Sequence, residues 1–350
     1  MNRILITGGA GFIGSHTCLA LLEKGYDLIV IDSFINSSRK SLLRVKEILK
    51  LKVKDLENKL CIVHGDLRDR KILESTFIEA KKCNKPINSV IHFAGLKSVE
   101  KSFDYSLDYW ETNVLGTINL LNVMRNNNCK TIVFSSTAAI YKVLDNKLLN
   151  ESSEIKPLNP YGLTKFTVEK ILKDLFVSDK NSWRIACLRY FNPIGAHSSG
   201  LIGEYSKGVP SNVFPYINLV ANKKIEYLKI YGNSWPTTDG TGIRDYIHVM
   251  DLAEGHIHIL EFLNQNNIQF LTLNLGTGIG TSVLQLVNTF KKVNRVDIPY
   301  IFTDKRKGDL GTVVADCTLV NKLTKWRAKR NLEDMCRDGW NWQVNNPNGY

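Results

Sequence analysis

The 350-residue chain is predicted to fold as an α/β protein, a doubly wound parallel sheet covered by helices and followed by a smaller, mixed α/β C-terminal domain. Three observations predict this. Short β-branched apolar runs alternate with longer amphipathic stretches through the first half, the sequence form of repeated βαβ units. Three evenly spaced glycines join the first strand to the first helix. Beyond about residue 190 the alternation ends, and turn formers thicken at Pro193, Gly195, Gly200, Gly203, Gly208, Pro210 and Pro215.

In chain order, strands are expected at Arg3–Thr7, Leu28–Asp32, Leu60–Asp66, Ser89–Ala94, Thr131–Ser136 and Arg184–Tyr190. Their nearly continuous apolar character suits strands buried on both faces. Between them, Ser15–Lys24, Lys71–Lys82 and Thr112–Asn126 carry helical patterning, and the crossovers they make should be right-handed. The first domain is placed at 1–190 and the second at 191–350, with a helical stretch near 247–263 expected to pack back on the first.

Composition narrows the function classes. Lys and Arg number 46 against 34 Asp and Glu, a net charge of +12. The basic residues are scattered, without the clustered stripe or module of a nucleic-acid binder, so their expected role is solubility and some attraction for phosphorylated ligands. No run approaches the ~18–20 apolar residues of a membrane span, and the run Ile4–Ile6 is far short of the ~7–15-residue core of an export signal. Cys18, Cys61, Cys83, Cys129, Cys187, Cys317 and Cys336 form no CxxC, which points to reduced thiols in a cytoplasmic protein rather than disulfides or zinc. The pair His256-x-His258 lacks a carboxylate or cysteine at ligand spacing, so no metal is expected.

The run Thr7-Gly8-Gly9-Ala10-Gly11-Phe12-Ile13-Gly14 places Gly8, Gly11 and Gly14 three residues apart. In a Rossmann-type domain such glycines permit the tight turn, the approach of backbone to a pyrophosphate, and close packing of helix on strand. The amides of Phe12 and Ile13 would open the helix N-terminus toward the phosphates. Asp32 ends the second strand 18 residues beyond Gly14, where a carboxylate grips the ribose 2′-hydroxyl and repels a 2′-phosphate; the expected cofactor is NAD. Ligands of such sheets bind outside the carboxyl ends of the strands. Asp66 and Leu67 would therefore face the adenine, and Phe93, Ala94 and Lys97 the nicotinamide end.

Asn159-Pro160-Tyr161 reads as a helix start, with Asn as N-cap and Pro at the first position. Tyr161 and Lys165 then share a face one turn apart. A phenol with a reference pKa near 10 is a poor base, but a neighbouring ammonium and a cationic nicotinamide favour the phenolate. Opposite it, Ser136 or Thr137 at the end of the fifth strand can relay the proton of a reacting hydroxyl.

With these residues the chain resembles the extended short-chain dehydrogenases/reductases, and within them the UDP-glucose (UDP-galactose) 4-epimerase family. The resemblance runs from residue 2 to about Tyr350 and rests on TGGAGFIGSHT at 7–17, VIHFAGLKSV at 90–99, LRYFNPIGAH at 188–197, DGTGIRDYIHVMDLA at 239–253, KGDL at 307–310 and GWNWQVNNPNGY at 339–350. It implies C4 epimerisation of a UDP-hexose through a transient 4-keto sugar. Tyr161 would be the base, supported by Lys165 and Thr137. The family's pattern adds Asn113, Ser135 and Tyr190 as cofactor contacts. It assigns Lys97, Phe191, Asn192, Asn212, Val213, Lys229 and Tyr231 (about Ile230, near uracil), Arg244, Tyr246, Arg306 and Asp309 to a UDP-sugar-binding second domain. Arg244 and Arg306 would clamp the pyrophosphate and Asp309 the ribose. A homodimer is implied, pairing a helix around 104–125 with the helix after Tyr161, whose Phe166, Leu172, Leu175 and Phe176 are apolar.

The chain departs from the family at several positions. Thr137 stands where Ser is usual, Lys142 replaces a Gly, and Glu100-Lys101 replaces Gly-Glu. Val313 stands where glucose-only members carry Tyr and members accepting N-acetylhexosamines carry Cys or Ser, so UDP-GlcNAc is an expected further substrate. Of the rivals, a 4,6-dehydratase needs a carboxylate pair where Ala138-Ala139 stand. An epimerase of UDP-xylose or UDP-uronic acids, or a non-catalytic NAD sensor, are the remaining alternatives.

Overall fold

The computed structural model describes residues 3–142, 147–179, 182–205, 208, 210, 212–266, 269–306 and 310–350. Through residue 137 the order is β1 (Arg3–Thr7), α1 (Phe12–Glu23), β2 (Asp27–Asp32), α2 (Arg39–Leu49), α3 (Leu56–Lys59), β3 (Leu60–His64), α4 (Arg70–Lys82), β4 (Ile87–His92), α5 (Val99–Asp104), α6 (Ser106–Tyr109), a π-helical turn (Trp110–Leu115), α7 (Gly116–Asn126) and β5 (Thr131–Thr137). There follow α8 (Pro160–Ser178), β6 (Arg184–Tyr190), β7 (Asn192–Ile194), α9 (Val213–Ala221), β8 (Leu228–Tyr231), β9 (Ile243–His248), α10 (Val249–Gln265) and β10 (Gln269–Leu275). The chain ends with β11 (Gly280–Ser282), α11 (Val283–Asn294), β12 (Tyr300–Thr303), β13 (Thr312–Val313), α12 (Thr318–Thr324) and α13 (Leu332–Asn345).

Contacts divide the chain into two units, one of residues 1–140, 157–189 and 253–273, the other of 141–156, 190–252 and 274–350. The first unit regains the chain at 253–273, overlapping the stretch near 247–263 expected to pack back on it, while residues 141–156 leave it. Residues 141–156 group with the second unit, where Tyr141 bridges Ile155, the Lys142 amide donates to the Glu154 carbonyl, and Leu149 bridges Ala315.

The first unit is built on a seven-stranded sheet of order β10-β6-β5-β4-β1-β2-β3. Strands β3, β2, β1, β4 and β5 pair in parallel. The chain runs outward from β1 through β2 and β3, then crosses back to β4 on the other side of β1. The carboxyl ends of β1 and β4, where Thr7 registers with His92, are thus the switch point at which such sheets open a crevice. The expected strands all form, β1 and β6 with the expected ends and the others with shifted ones. β3 stops at His64 and β4 at His92, so Asp66 and Ala94 belong to the loops. The helix expected over 112–126 is interrupted by the π-helical turn. The core joins Leu5, Val90, Ile132 and Ile185 from the strands to Phe77, Leu120 and Leu172 from the helices.

The second unit centres on β9, which pairs antiparallel with β11 and parallel with β13 and β7. A separate two-stranded sheet joins β8 and β12 in parallel. Phe214, Tyr246, Phe290 and Met335 fill its core.

Candidate active site

The loop from β1 to α1 makes a cradle for backbone contacts. Gly8 has φ +70°, and a Cβ there would lie 2.6 Å from the Ala94 amide nitrogen. A Cβ on Gly14 would strike the Gly8 carbonyl. α1 starts at Phe12 without a side-chain cap and without an acidic residue in its first turn. Its free N–H groups and positive dipole end are open to an anion.

Asp32, 7 % exposed, closes the loop around this cradle. Its Oδ2 accepts the Ala10 amide at 2.9 Å, and Oδ1 accepts the Phe34 amide at 2.9 Å and the Ser37 hydroxyl at 2.7 Å. Three donors leave carboxylate capacity for one more, so a ribose hydroxyl fits. Asp66 instead pairs with Arg68, whose Nη2 lies 2.9 Å from Oδ2; the guanidinium holds the carboxyl below its usual range. The Leu67 side chain is buried in the core. Phe93 packs against His256, ring centroids 4.9 Å apart, while Lys97 is exposed.

Asn113 sits on the π-helical turn, 2 % exposed, a kind of irregularity common at functional sites. Its Oδ1 accepts the Leu96 amide at 2.8 Å, and its Nδ2 donates to the Leu96 carbonyl and to Thr164 Oγ1, each at 3.1 Å. Both amide hydrogens are thus used inside the protein, bracing the loop after β4 against the first turn of α8.

α8 begins as the sequence demands. Asn159 caps it by accepting the Gly162 amide at 2.8 Å, and Pro160 opens it. Tyr161 is hydrogen-bonded by Thr137, and burial pushes its phenol up to about 12. Thr137 Oγ1 accepts the Ala139 amide at 3.1 Å, which leaves its hydrogen for Tyr161. Lys165, 4 % exposed, donates to the Ser135 carbonyl at 2.8 Å and lies 4.9 Å from the centre of the Phe134 ring; burial pushes it down to about 8. Ser135 therefore contributes its carbonyl to Lys165. Ser136, the alternative hydroxyl, points to Glu169 at 2.5 Å, so Thr137 is the one that meets the tyrosine. Sequence reasoning missed Glu169 and its partner Arg189; the signal was a charged residue one further i+4 step along a buried face. It missed as well the chain Thr7–His92–Thr117, with contacts of 2.6 and 2.8 Å, beneath the β1 and β4 ends.

In the second unit, Arg244 donates to the carbonyls of Ile243 at 2.9 Å and Gly311 at 3.4 Å. β13 sets Val313 in register beside it. The next residue, Asp245, is fully buried and accepts the Thr277, Gly278 and Ala315 amides at 2.8, 2.9 and 3.2 Å; sequence reasoning missed this brace too. Arg306 lies 3.8 Å over the Tyr231 ring, while Lys229 on β8 is exposed. Tyr246 belongs to the core, not to an open surface. Tyr190 and Phe191 are buried at the end of β6, Asn192 opens β7, and Asn212 precedes Val213 at the start of α9 without a side-chain cap. Asp309 lies outside the described residues. Among the described residues no group of His, Cys, Asp and Glu could hold a metal ion, and no helix is long and apolar enough to cross a membrane.

A dinucleotide cradle at the switch point, with Tyr161 and Lys165 one turn apart beside a strand-end hydroxyl, defines an extended short-chain dehydrogenase/reductase. Residues 5–339 match the family model described as GDP-mannose 4,6 dehydratase. The chain belongs to the UDP-glucose 4-epimerase family. It is 48% identical over 348 residues to UDP-glucose 4-epimerase of Bacillus subtilis, covering 99% of this chain and 98% of that one. Among solved structures it is similar to UDP-glucose 4-epimerase of Bifidobacterium longum in complex with NAD+ and UDP, at 41% identity and TM-score 0.91 with both chains fully covered. It is likewise similar to the Stenotrophomonas maltophila enzyme with bound NAD and formylated UDP-arabinopyranose, at 40% identity and TM-score 0.92, covering 99% of this chain and 98% of that one.

Proposed function

We propose that this chain interconverts UDP-glucose and UDP-galactose by inverting C4 of the hexose, with NAD as resident cofactor. The observation that carries the reading is the half-buried Tyr161, hydrogen-bonded by Thr137, with the buried Lys165 one turn on. Gly8, Gly11, Gly14 and Asp32 would hold NAD, with Phe93, Ala94 and Ser135 beside its reacting end. When bound, it supplies a reversible two-electron acceptor for C4.

Tyr161 takes the O4 proton as C4 is oxidised to the ketone and returns it when C4 is reduced from the opposite face, so no net redox change occurs. Thr137 orients the reacting hydroxyl, and Lys165 favours the phenolate while charged. Arg244 and Arg306 hold the pyrophosphate by bidentate contacts, and Tyr231 offers a stacking face for uracil. A firm grip on UDP with a loose grip on the hexose lets the keto sugar turn over, because extra sugar contacts would stabilise one orientation against the other. Ala138 and Ala139 leave no carboxylate for the elimination a dehydratase performs.

The test is turnover of UDP-glucose without added NAD. Tyr161→Phe should lose about 10²–10⁴-fold in kcat while keeping its bound NAD; unchanged turnover refutes the assignment.

Val313 is half-buried beside Arg244 and is small, so UDP-GlcNAc and UDP-GalNAc are further substrates. Turnover of UDP-glucose with none of UDP-GlcNAc removes this extension. The active form is a homodimer. Of the apolar residues of α8, Phe166, Leu172, Leu175 and Phe176, Leu172 is fully buried and Leu175 and Phe176 pack on the core. Phe103, Tyr105, Leu107 and Leu163 are exposed instead, at 61, 58, 75 and 43 %, and a second copy would cover them; sedimentation at monomer mass would exclude it. The setting is cytoplasmic, in keeping with seven free cysteines.

A further inference from the structure

α8 carries a third polar residue on the face of Tyr161 and Lys165. Glu169 follows at the next i+4 step, 5 % exposed, and no step of the proposed reaction uses it. Its Oε1 accepts Ser136 Oγ at 2.5 Å and Arg189 Nε at 3.1 Å, and its Oε2 accepts Arg189 Nη2 at 2.7 Å. Arg189 is 4 % exposed. One carboxylate thus ties α8 to β5 through Ser136 and to β6 through Arg189.

The position of Ser136 gives this tie its meaning. On one side of it Ser135 receives the Lys165 ammonium on its carbonyl. On the other, Thr137 bonds the Tyr161 hydroxyl. We propose that Glu169, with Arg189 and Ser136, is the positioning element that sets the register of α8 on β5 and so fixes Tyr161 and Lys165 against the reacting carbon. This rests on the reading of Tyr161 as the base.

Geometry and energetics agree on such a role. Eight residues of helix separate Glu169 from Tyr161 by about 12 Å, so Glu169 acts through the helix rather than on the substrate. A buried ion pair is a weak source of stability, since apolar residues of similar volume often replace one without loss. What it supplies is direction: a planar fork on a carboxylate fixes both distance and angle. Proton transfer needs that accuracy, because a displacement of about 1 Å can cost about 10²-fold in rate.

The test uses the NAD-containing enzyme and three variants: Ser136→Ala, Ser136→Thr, and the double replacement Glu169→Leu with Arg189→Leu. Each is measured for kcat, KM for UDP-glucose, bound NAD and thermal midpoint. The Ser136→Ala enzyme should lose about tenfold in kcat and the double variant about hundredfold, with KM held within about twofold and bound NAD retained. Ser136→Thr, which keeps the hydroxyl, should recover most of the loss. Unchanged kcat in a folded variant overturns the proposal, and so does a loss that merely follows bound NAD or the midpoint. Where the double variant does not fold, Ser136→Ala decides alone. Tyr161→Phe is run beside them. Normal turnover there would sink the base assignment itself, whereas a dead Tyr161→Phe with fully active clamp variants would sink the clamp alone.

Discussion

Replacing Gly8 by alanine tests the cradle on stability and on cofactor retention together. Gly8 has φ +70°, and holding an L-residue in the left-handed region costs about 1–2 kcal/mol. The added Cβ would also stand 2.6 Å from the Ala94 nitrogen and 2.8 Å from its Cα. Both are backbone atoms of the loop directly after β4 and cannot rotate away as a side chain could, so overpacking adds about 1–3 kcal/mol. The sum is about 2–5 kcal/mol, a large share of the ~5–15 kcal/mol that holds a typical native protein together. Gly25 is the internal control: its φ is +89°, but no atom lies within 4 Å of its built Cβ, so Gly25→Ala should cost only the first part. Urea unfolding of both cofactor-stripped variants gives the difference directly, and the absorbance of NAD carried through purification reports the cradle. Gly8→Ala should be the less stable by the overpacking share and should lose most of its NAD. Equal destabilisation by the two replacements would refute the argument that the loop after β4 leaves no room at Gly8.

Thr137→Val should lower kcat about hundredfold while Thr137→Ser stays near wild type, checked by initial rates on UDP-glucose; equal rates for all three would remove the hydroxyl from the site. Burial lowers Lys165 from 10.5 to about 8, so between those pH values the unfolded chain binds the proton and the folded chain does not. Stability contributed by this residue therefore rises with pH across the window. The unfolding free energy of the cofactor-stripped wild type, minus that of Lys165→Met, should grow from pH 8 to 10.5, and a flat or falling difference would contradict the burial argument.

Six of the seven strands of the sheet were legible as short apolar runs, while β10 lies in the stretch assigned to the second domain and was not expected. β1 and β6 fall where the sequence put them, since Thr7 leads straight into a glycine turn and Tyr190 into Asn192-Pro193. The π-helical turn left no trace: one extra residue in a turn keeps the apolar spacing of 112–126 nearly intact. Nor does spacing say where a side chain points. The side chains of Leu67 and Tyr246 pack in the cores, which their positions in the sequence did not reveal. Residues 141–156 could not be assigned to the second unit from sequence, because the partners of Leu149 are Val314 and Asp316, far along the chain. Glu169 was within reach: Tyr161, Lys165 and Glu169 repeat at i+4, and a carboxylate on a buried face needs a partner.

Burial sets the candidate pair against its task. It drives the Tyr161 phenol up to about 12 and the Lys165 ammonium down to about 8, both away from the phenolate–ammonium state that removes a proton. The Thr137 hydrogen bond lowers the phenol, but Tyr109 opposes it. His92 brings no charge to help, since burial and the charge of Lys165 hold it down to about 3. The folded chain by itself is therefore a weak base at neutral pH. A cationic nicotinamide, as in bound NAD⁺, would favour the phenolate. Proton removal would then be favoured in the state that can also accept electrons from C4. A phenol of ordinary pKa near 10 would also be protonated at neutral pH, and burial enlarges the share of the drive that the cofactor's charge would supply. The burial that weakens Tyr161 alone is what ties its basicity to the rest of the reaction.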